Sequence, residues 1–331
     1  ASQTMANKYP PIPQLIGSTT PSTAFAAIAA SMALPPRLRI STPATAAIAA
    51  TATTAATRAT VPARFARRAG VFQLFAGFLV DHAHRQADLA AIVDGQNLDQ
   101  IAATKLIDSI LEEKITPAQF GAFVTAMRLK GETPEELAGM AASMSRHALR
   151  IEIQSDNLLD TCGTGGGETR WLGISTSAAL IAAGAGAVVA KHGNRGATRP
   201  AGSSDLLEAL GVNLAAGPQH VRRALKEARV GFMFAQTFHP AMKFAGPLRR
   251  EIGIRTAFNI LGPLTNPAGA RCRLLGVGDA SLLSTLAETL ILLEIHRAFV
   301  VHGHNGVDEV TLTGPTYVAE VNAAERSTYA L

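Results

Sequence analysis

Between about Leu98 and Met144 apolar and polar positions alternate with helical spacing, and two starts are well marked. Thr116-Pro117-Ala118-Gln119 and Thr133-Pro134-Glu135-Glu136 each place a hydroxyl cap, a proline at the first helical position and a side chain three residues on that can reach back. Gly131 breaks the chain between them, and Phe120, Phe123, Val124 and Met127 form an apolar face on the first. These features predict a small all-helical domain over about 95–150. Further along, short apolar runs of strand character occur at Leu158 to Cys162, Val188 to Ala190, Phe232 to Phe234, Leu274 to Val277 and Phe299 to Val301. Helical stretches separate them, which predicts an α/β domain over 155–331 with a parallel-type central sheet flanked by helices.

Composition narrows the class without naming a chemistry. A chain of 331 residues that is 47% hydrophobic can bury one large core or two modest ones. No apolar run approaches the roughly 20 residues a membrane span needs, and the Ala-rich stretch Ile48 to Ala56 has too many threonines to serve as one. Cys162 and Cys272, the two cysteines, give neither a disulfide framework nor a metal pattern. The first eighty residues differ from the rest. Asp81 is the first acidic residue, whereas Lys8, Arg37, Arg39, Arg58, Arg64, Arg67 and Arg68 precede it among Ala, Ser, Thr and Pro. A basic, hydroxyl-rich, acid-poor leader over 1–80 has the composition of a transit peptide, or of a disordered tail. It also supplies much of the net charge of +5, so that charge is no nucleic-acid footprint of the folded part.

Candidate chemistry begins at Asp160. Gly163 to Gly167 holds four glycines in five residues after a predicted strand, and Ser175-Thr176 reads as the cap of a helix running to about Ala183. Glycines let backbone N–H groups approach a phosphate oxygen, and a helix start adds partial positive charge. GTGG is neither the dinucleotide-binding nor the P-loop pattern, so the turn alone leaves a structural reading open. Lys191-His192-Gly193-Asn194-Arg195 follows the second strand. Cations, an imidazole and an amide at the carboxyl end of a strand suit a site lining, although a solvated basic loop would carry the same charges. Gly202-Ser203-Ser204-Asp205 then reads as a helix start with a hydroxyl cap, ended by Gly211.

GTGG, IST, KHGNR, GSSDLLEALG, the long stretch from GFMFAQTFHP to LGPLTNPAG, and HGHNGVDEVTLTGP occur in this order. The chain resembles the anthranilate phosphoribosyltransferases of tryptophan synthesis over roughly Leu98 to Val321. The resemblance implies a nucleoside-phosphorylase-like fold, a homodimer, and Mg²⁺-dependent transfer of phosphoribose from phosphoribosyl pyrophosphate to the amine of anthranilate. It implies that Gly163, Thr164, Gly165, Gly166, Ser175, Thr176 and Lys191 bind phosphoribosyl pyrophosphate. Asp308 and Glu309, with Ser175, would hold Mg²⁺, a hard ion that prefers oxygen ligands. Gly163, His192, Asn194, His239, Arg249, Gly262 and Pro263 would form the anthranilate pocket, with Arg249 on the carboxylate. No acid or base is required, and the segment 236–256 would pack back onto the helical domain so that substrate lies between the domains. No membrane and no nucleic acid enter this reading. Tryptophan synthesis in plants and algae is plastidial, so the leader would direct the chain to the chloroplast stroma; without a transit function the chain is cytoplasmic.

Several positions depart from the family. Gly167 stands where GTGGD has aspartate, with Glu168 beside it; Gly173 stands where an asparagine is usual; and Thr198, Arg199 and Pro200 replace the usual serines and lysine. Family members also continue past the position of Leu331, so the α/β domain reads as truncated. Two alternatives follow from these departures and the shared fold: a non-catalytic or nucleic-acid-binding paralogue, and a pyrimidine nucleoside phosphorylase.

Overall fold

The computed structural model describes residues 83–155, 157–165, 173–196 and 202–331. The leader 1–80, Gly166, Gly167, Glu168 and the Thr198-Arg199-Pro200 stretch lie outside these residues. Helix α1 (83–93), α2 (Gln100–Leu111), α3 (Pro117–Lys130) and α4 (Pro134–Arg146) form the first layer. Both expected capping boxes are present: Gln119 N donates to Thr116 Oγ1 at 3.2 Å and Thr116 N to Gln119 Oε1 at 2.9 Å. In the second, Glu136 N donates to Thr133 Oγ1 and Thr133 N to Glu136 Oε2. Glu136 is fully buried, and it also accepts from Leu98 N and from Lys130 Nζ, each at 2.8 Å. One carboxylate thereby ties the chain before α2, the end of α3 and the start of α4.

The second layer follows as β1 (Leu158–Gly163), α5 (Ile174–Gly184), β2 (Val188–Gly193), α6 (Ser203–Ala209), α7 (Pro218–Glu227) and β3 (Val230–Phe234). Then come α8 (Ala235–Phe238), α9 (Ala245–Ile252), α10 (Phe258–Leu264), β4 (Cys272–Gly276), α11 (Leu282–Leu292), β5 (Arg297–Gly303), β6 (Thr316–Asn322) and β7 (Glu325–Ala330). The seven strands lie in the order β3-β2-β1-β4-β5-β6-β7. The first five are parallel, whereas β6 and β7 run antiparallel. The sheet is therefore mixed rather than of purely parallel type. No helix crosses over between β5 and β6, and only Ala323 and Ala324 separate β6 from β7, so each strand returns against its predecessor.

Phe120, Phe123, Met127, Leu137 and Met140 fill the bundle, and the same apolar cluster continues through Leu286 and Leu290 of α11 to Leu275, Val300 and Ala319 of the sheet. Helix α9 joins this core through Ala245, with Leu248 and Ile252 packed against it, and Phe244 meets Phe120 edge to face at 6.5 Å. Ion pairing of Lys243 with Glu113 at 3.1 Å adds to the contact of this segment with the bundle. A second cluster, including Leu158, Val221, Leu225 and Met233, lies around β1 to β3 and α7. Among the described residues no helix is long and apolar enough to cross a membrane.

Candidate active site

Four of the five parallel strands end in glycine: Gly163, Gly193, Gly276 and Gly303. At Gly276 the absence of a side chain is a steric requirement, since a Cβ there would run into the carbonyl oxygen of Asp308. The turn after β5 therefore folds over the end of β4. Asp308 is buried, and its Oδ2 lies 3.3 Å from the place a Cβ of Gly163 would take. A carboxylate far downstream in the chain thus abuts the glycine-rich turn. Thr164 N donates to Gly276 O at 2.9 Å, and Arg255 Nη2 donates to Thr164 O at 3.0 Å. Gly165 follows with φ +66°, a left-handed conformation that favours glycine.

Ser175 and Thr176 are not helix caps. The cap of α5 is Gly173, whose φ of +45° turns the chain, and no side chain caps the helix. A residue with a Cβ would be strained at that angle and would meet Leu206 Cδ2 at 2.5 Å. The two hydroxyl residues lie instead in the first turn of α5, where Thr176 N donates to Gly173 O at 2.9 Å. Thr176 is 1% exposed and its Oγ1 has no partner among the described residues. The predicted start of α6 is corrected in the same way: Gly202 is its cap, and Asp205 Oδ2 accepts from Gly202 N at 2.7 Å.

Lys191 and His192 belong to β2 rather than to a loop after it, in register with Phe232 and Met233 of β3. Lys191 is buried; its Nζ donates to Thr161 O and, at 3.3 Å, to Ser175 Oγ. Burial pushes its pKa down, against which Asp160 and Glu309 act as nearby negative charges. Asp160 is fully buried; burial raises its pKa, opposed first by Lys191 and then by the Asn266 hydrogen bond. Its Oδ1 accepts from His192 N at 3.2 Å and its Oδ2 from Asn266 Nδ2 at 2.7 Å. Arg273, also buried, donates to Pro263 O and Ala270 O. Sequence reasoning starts the candidate segment at Asp160 but gives no role to it, nor to Asn266, Arg273 or Arg255. A carboxylate and a guanidinium inside otherwise apolar strands are the available signal for the first and third. Cys162 has no nucleophilic character here, because burial and then the charge of Asp160 push its thiol far up.

The predicted aromatic pocket gathers around α10. His192 Nδ1 lies 3.1 Å from Gly262 O, and the His192 and His239 rings stand 5.0 Å apart between centres. Burial lowers the pKa of His192 to about 4 and that of His239 to about 3. One turn back along α10, Phe258 stacks under Arg249, with Cζ 5.4 Å from the ring centre. Burial alone opposes the charge of Arg249, and it forms no ion pair with a described carboxylate. Asn194 is exposed, and its Oδ1 accepts from Arg195 N at 2.9 Å. Arg195 itself is committed to Asp205 and Glu208. A separate cleft of about 770 Å³, between the 151–155 segment and α7 at the amino end of β2, shares no residue with this constellation.

Among the described residues no three carboxylate, histidine or cysteine side chains cluster as a closed metal site. Asp308 and Glu309 beside a glycine turn are an open oxygen donor set, which fits Mg²⁺, an ion held by one or two carboxylates together with substrate phosphates. The constellation can therefore neutralise a phosphorylated substrate at Lys191, α5 and the 163–165 turn, and hold an aromatic carboxylate at Arg249 and α10.

Residues 155–331 match the glycosyl transferase family a/b domain and residues 89–148 the glycosyl transferase family helical bundle domain. An anthranilate phosphoribosyltransferase of Chloroflexus aurantiacus is 52% identical over 237 residues, 72% of this chain and 70% of that protein. The crystal structure of anthranilate phosphoribosyltransferase from Thermus thermophilus superposes with a TM-score of 0.69 at 43% identity, covering 74% of this chain and 72% of the other. The Saccharomyces cerevisiae enzyme, solved with phosphoribosyl pyrophosphate (PRPP) and Mg, gives 0.68 at 28% identity, covering 75% and 72%. With a helical bundle, a mixed sheet and this identity to its relatives, the chain belongs to the anthranilate phosphoribosyltransferase family.

Proposed function

We propose that the chain transfers the phosphoribosyl group from phosphoribosyl pyrophosphate to the amine of anthranilate, giving N-(5-phosphoribosyl)anthranilate and pyrophosphate. The observation that carries this reading is the arrival of Asp308 at Gly163, which brings a Mg²⁺-type carboxylate to the glycine-rich turn. The turn at 163–165 cradles the diphosphate, with the amino end of α5 and the Ser175 and Thr176 hydroxyls around it. Lys191 neutralises phosphate charge from the floor of the site, where the nearby charge of Asp160 opposes the downward push of burial on its pKa. Asp308 and Glu309, with Ser175, hold Mg²⁺, which supplies charge neutralisation on the diphosphate. Arg249 takes the anthranilate carboxylate, while Gly262 and Pro263 wall the ring.

In the reaction the C1–oxygen bond to pyrophosphate breaks, the C1–nitrogen bond forms, and the amine releases one proton. Positive charge develops on the ribose and negative charge on the leaving group, so the residues act by positioning and charge stabilisation. Neutral imidazoles at His192 and His239 sit where the aromatic amine would, and neither is placed as a strong base. The test is incubation with phosphoribosyl pyrophosphate, Mg²⁺ and anthranilate. Loss of anthranilate fluorescence that chelation abolishes is the expected result; phosphorolysis of a pyrimidine nucleoside, or salt-dependent nucleic-acid binding without turnover, would replace this reading.

Two further elements of the reading concern assembly and address. A homodimer is supported by the family and by the large exposed apolar side chains Val93, Ile101 and Leu129 on the helical layer, and the mass in solution tests it. The acid-poor composition of residues 1–80 supports delivery to a plastid stroma. Import of the full chain by isolated chloroplasts, with shortening on entry, is the corresponding measurement; retention outside them favours the cytoplasm.

A further inference from the structure

Thr164 has its backbone held on both sides: its N–H donates to Gly276 O at 2.9 Å, and its carbonyl accepts from Arg255 Nη2 at 3.0 Å. An N–H spent on β4 is no phosphate donor. The donor that the turn offers a ligand therefore passes to Gly165, whose N–H has no partner among the described residues. The Thr164 carbonyl and the Gly165 N–H belong to one planar trans peptide and point in opposite directions, so a group that fixes the first aims the second. Space is left for a ligand beside it, since a Cβ on Gly165 would meet no heavy atom within 4 Å.

Arg255 is held on a fixed support. It lies on the link between α9, which carries Arg249, and α10, which carries Gly262 and Pro263. Its neighbours Thr256 and Ala257 are 4% and 0% exposed. Asn259 closes the link from both sides, its Oδ1 accepting from Thr256 N at 3.0 Å and its N–H donating to Thr256 O at 2.9 Å. A guanidinium so anchored gives the Thr164 carbonyl a charge-assisted hydrogen bond, stronger and more directional than one between neutral groups.

We infer that Arg255 is a positioning residue for the transfer: by holding the Thr164 carbonyl it aims the Gly165 N–H at the diphosphate of phosphoribosyl pyrophosphate, and it does so from the link that joins the two halves of the anthranilate pocket. This deepens the transferase reading above and rests on it.

In the full chain, Arg255→Leu should raise the KM of phosphoribosyl pyrophosphate about tenfold or more, the loss of a charge-assisted hydrogen bond. The KM of anthranilate at saturating phosphoribosyl pyrophosphate should stay within about twofold. Product inhibition by pyrophosphate should weaken in step with the first, and Arg255→Lys, which keeps one charged donor, should recover part of the loss. Parallel rises for both substrates describe a strap that only holds the link together and overturn the proposal, as does an unchanged KM for phosphoribosyl pyrophosphate. Should the variants fail to fold, the Gly165 amide of the wild-type protein decides it by ¹⁵N NMR. A downfield shift of its proton with pyrophosphate and Mg²⁺, and not with anthranilate alone, is expected; an amide that ignores pyrophosphate overturns the proposal. A wild-type chain that never consumes anthranilate overturns the transferase reading and this proposal together, whereas the adverse outcomes before it overturn the proposal alone.

Discussion

Arg249 is a half-buried guanidinium stacked on Phe258, its charge opposed by burial and offset by no described carboxylate. Such a cation is completed by an anionic ligand. Arg249→Ala is expected to raise the KM of anthranilate by about tenfold to a hundredfold, the worth of a charge-assisted hydrogen bond, and to leave that of phosphoribosyl pyrophosphate nearly unchanged. Equal effects on both substrates would remove Arg249 from the anthranilate pocket. Asp308→Asn and Glu309→Gln act at the other substrate. Each should lower turnover by about a hundredfold or more while thermal unfolding stays near the wild type, because each removes charge stabilisation rather than packing. Variants that kept most of their Mg²⁺-dependent rate would dissociate these carboxylates from the metal.

At the scale of elements, legibility follows locality. The capping boxes of α3 and α4 are readable because each is closed by residues three apart, and Pro at the first helical position reinforces the pattern. Two features escape because they depend on distant partners. Lys191 and His192 read as a basic loop, yet pairing with β3 and the buried Asp160 draw them into β2. Strand β7, ERSTYA, has no apolar run at all and every residue of it is exposed, so only its ladder with β6 makes it a strand. The Ser175-Thr176 motif is recognisable, but its role as a first-turn lining rather than a cap depends on the backbone angle of Gly173. Two stability measurements exploit the contrast between local and distant contacts. Glu136→Ala, which takes a buried carboxylate away from three donors and leaves Lys130 Nζ without its counter-charge, should cost about 3–5 kcal/mol in chemical denaturation. Thr116→Ala, an exposed cap, should cost about 1 kcal/mol. Gly276→Ala should destabilise by about 1–3 kcal/mol through overpacking and weaken the Mg²⁺ dependence of turnover, since its Cβ displaces the backbone of Asp308.

The whole molecule carries a pH signature of the two buried histidines. Unfolded, each titrates near 6.5; folded, burial holds His192 near 4 and His239 near 3. Their neutral burial costs nothing above about pH 6.5. As the pH falls below that value the unfolded chain takes up protons that the native state refuses, so stability declines to about pH 4 through His192 and to about pH 3 through His239, by on the order of a few kcal/mol. Urea midpoints at about pH 7 and about pH 4.5 measure the decline, and His192→Gln with His239→Gln should flatten it; an unchanged pH profile would mean that other groups govern acid sensitivity. The glycine shelf under Asp308 has a consequence in time. Gly163, Gly276 and Asp308 come from β1, β4 and the turn beyond β5, so the three do not meet until three strands far apart in sequence have registered. Contacts of such separation form late during folding. In a refolding experiment, helical ellipticity should therefore return before Mg²⁺-dependent turnover, and the metal-binding corner would serve as a clock for the last step of assembly.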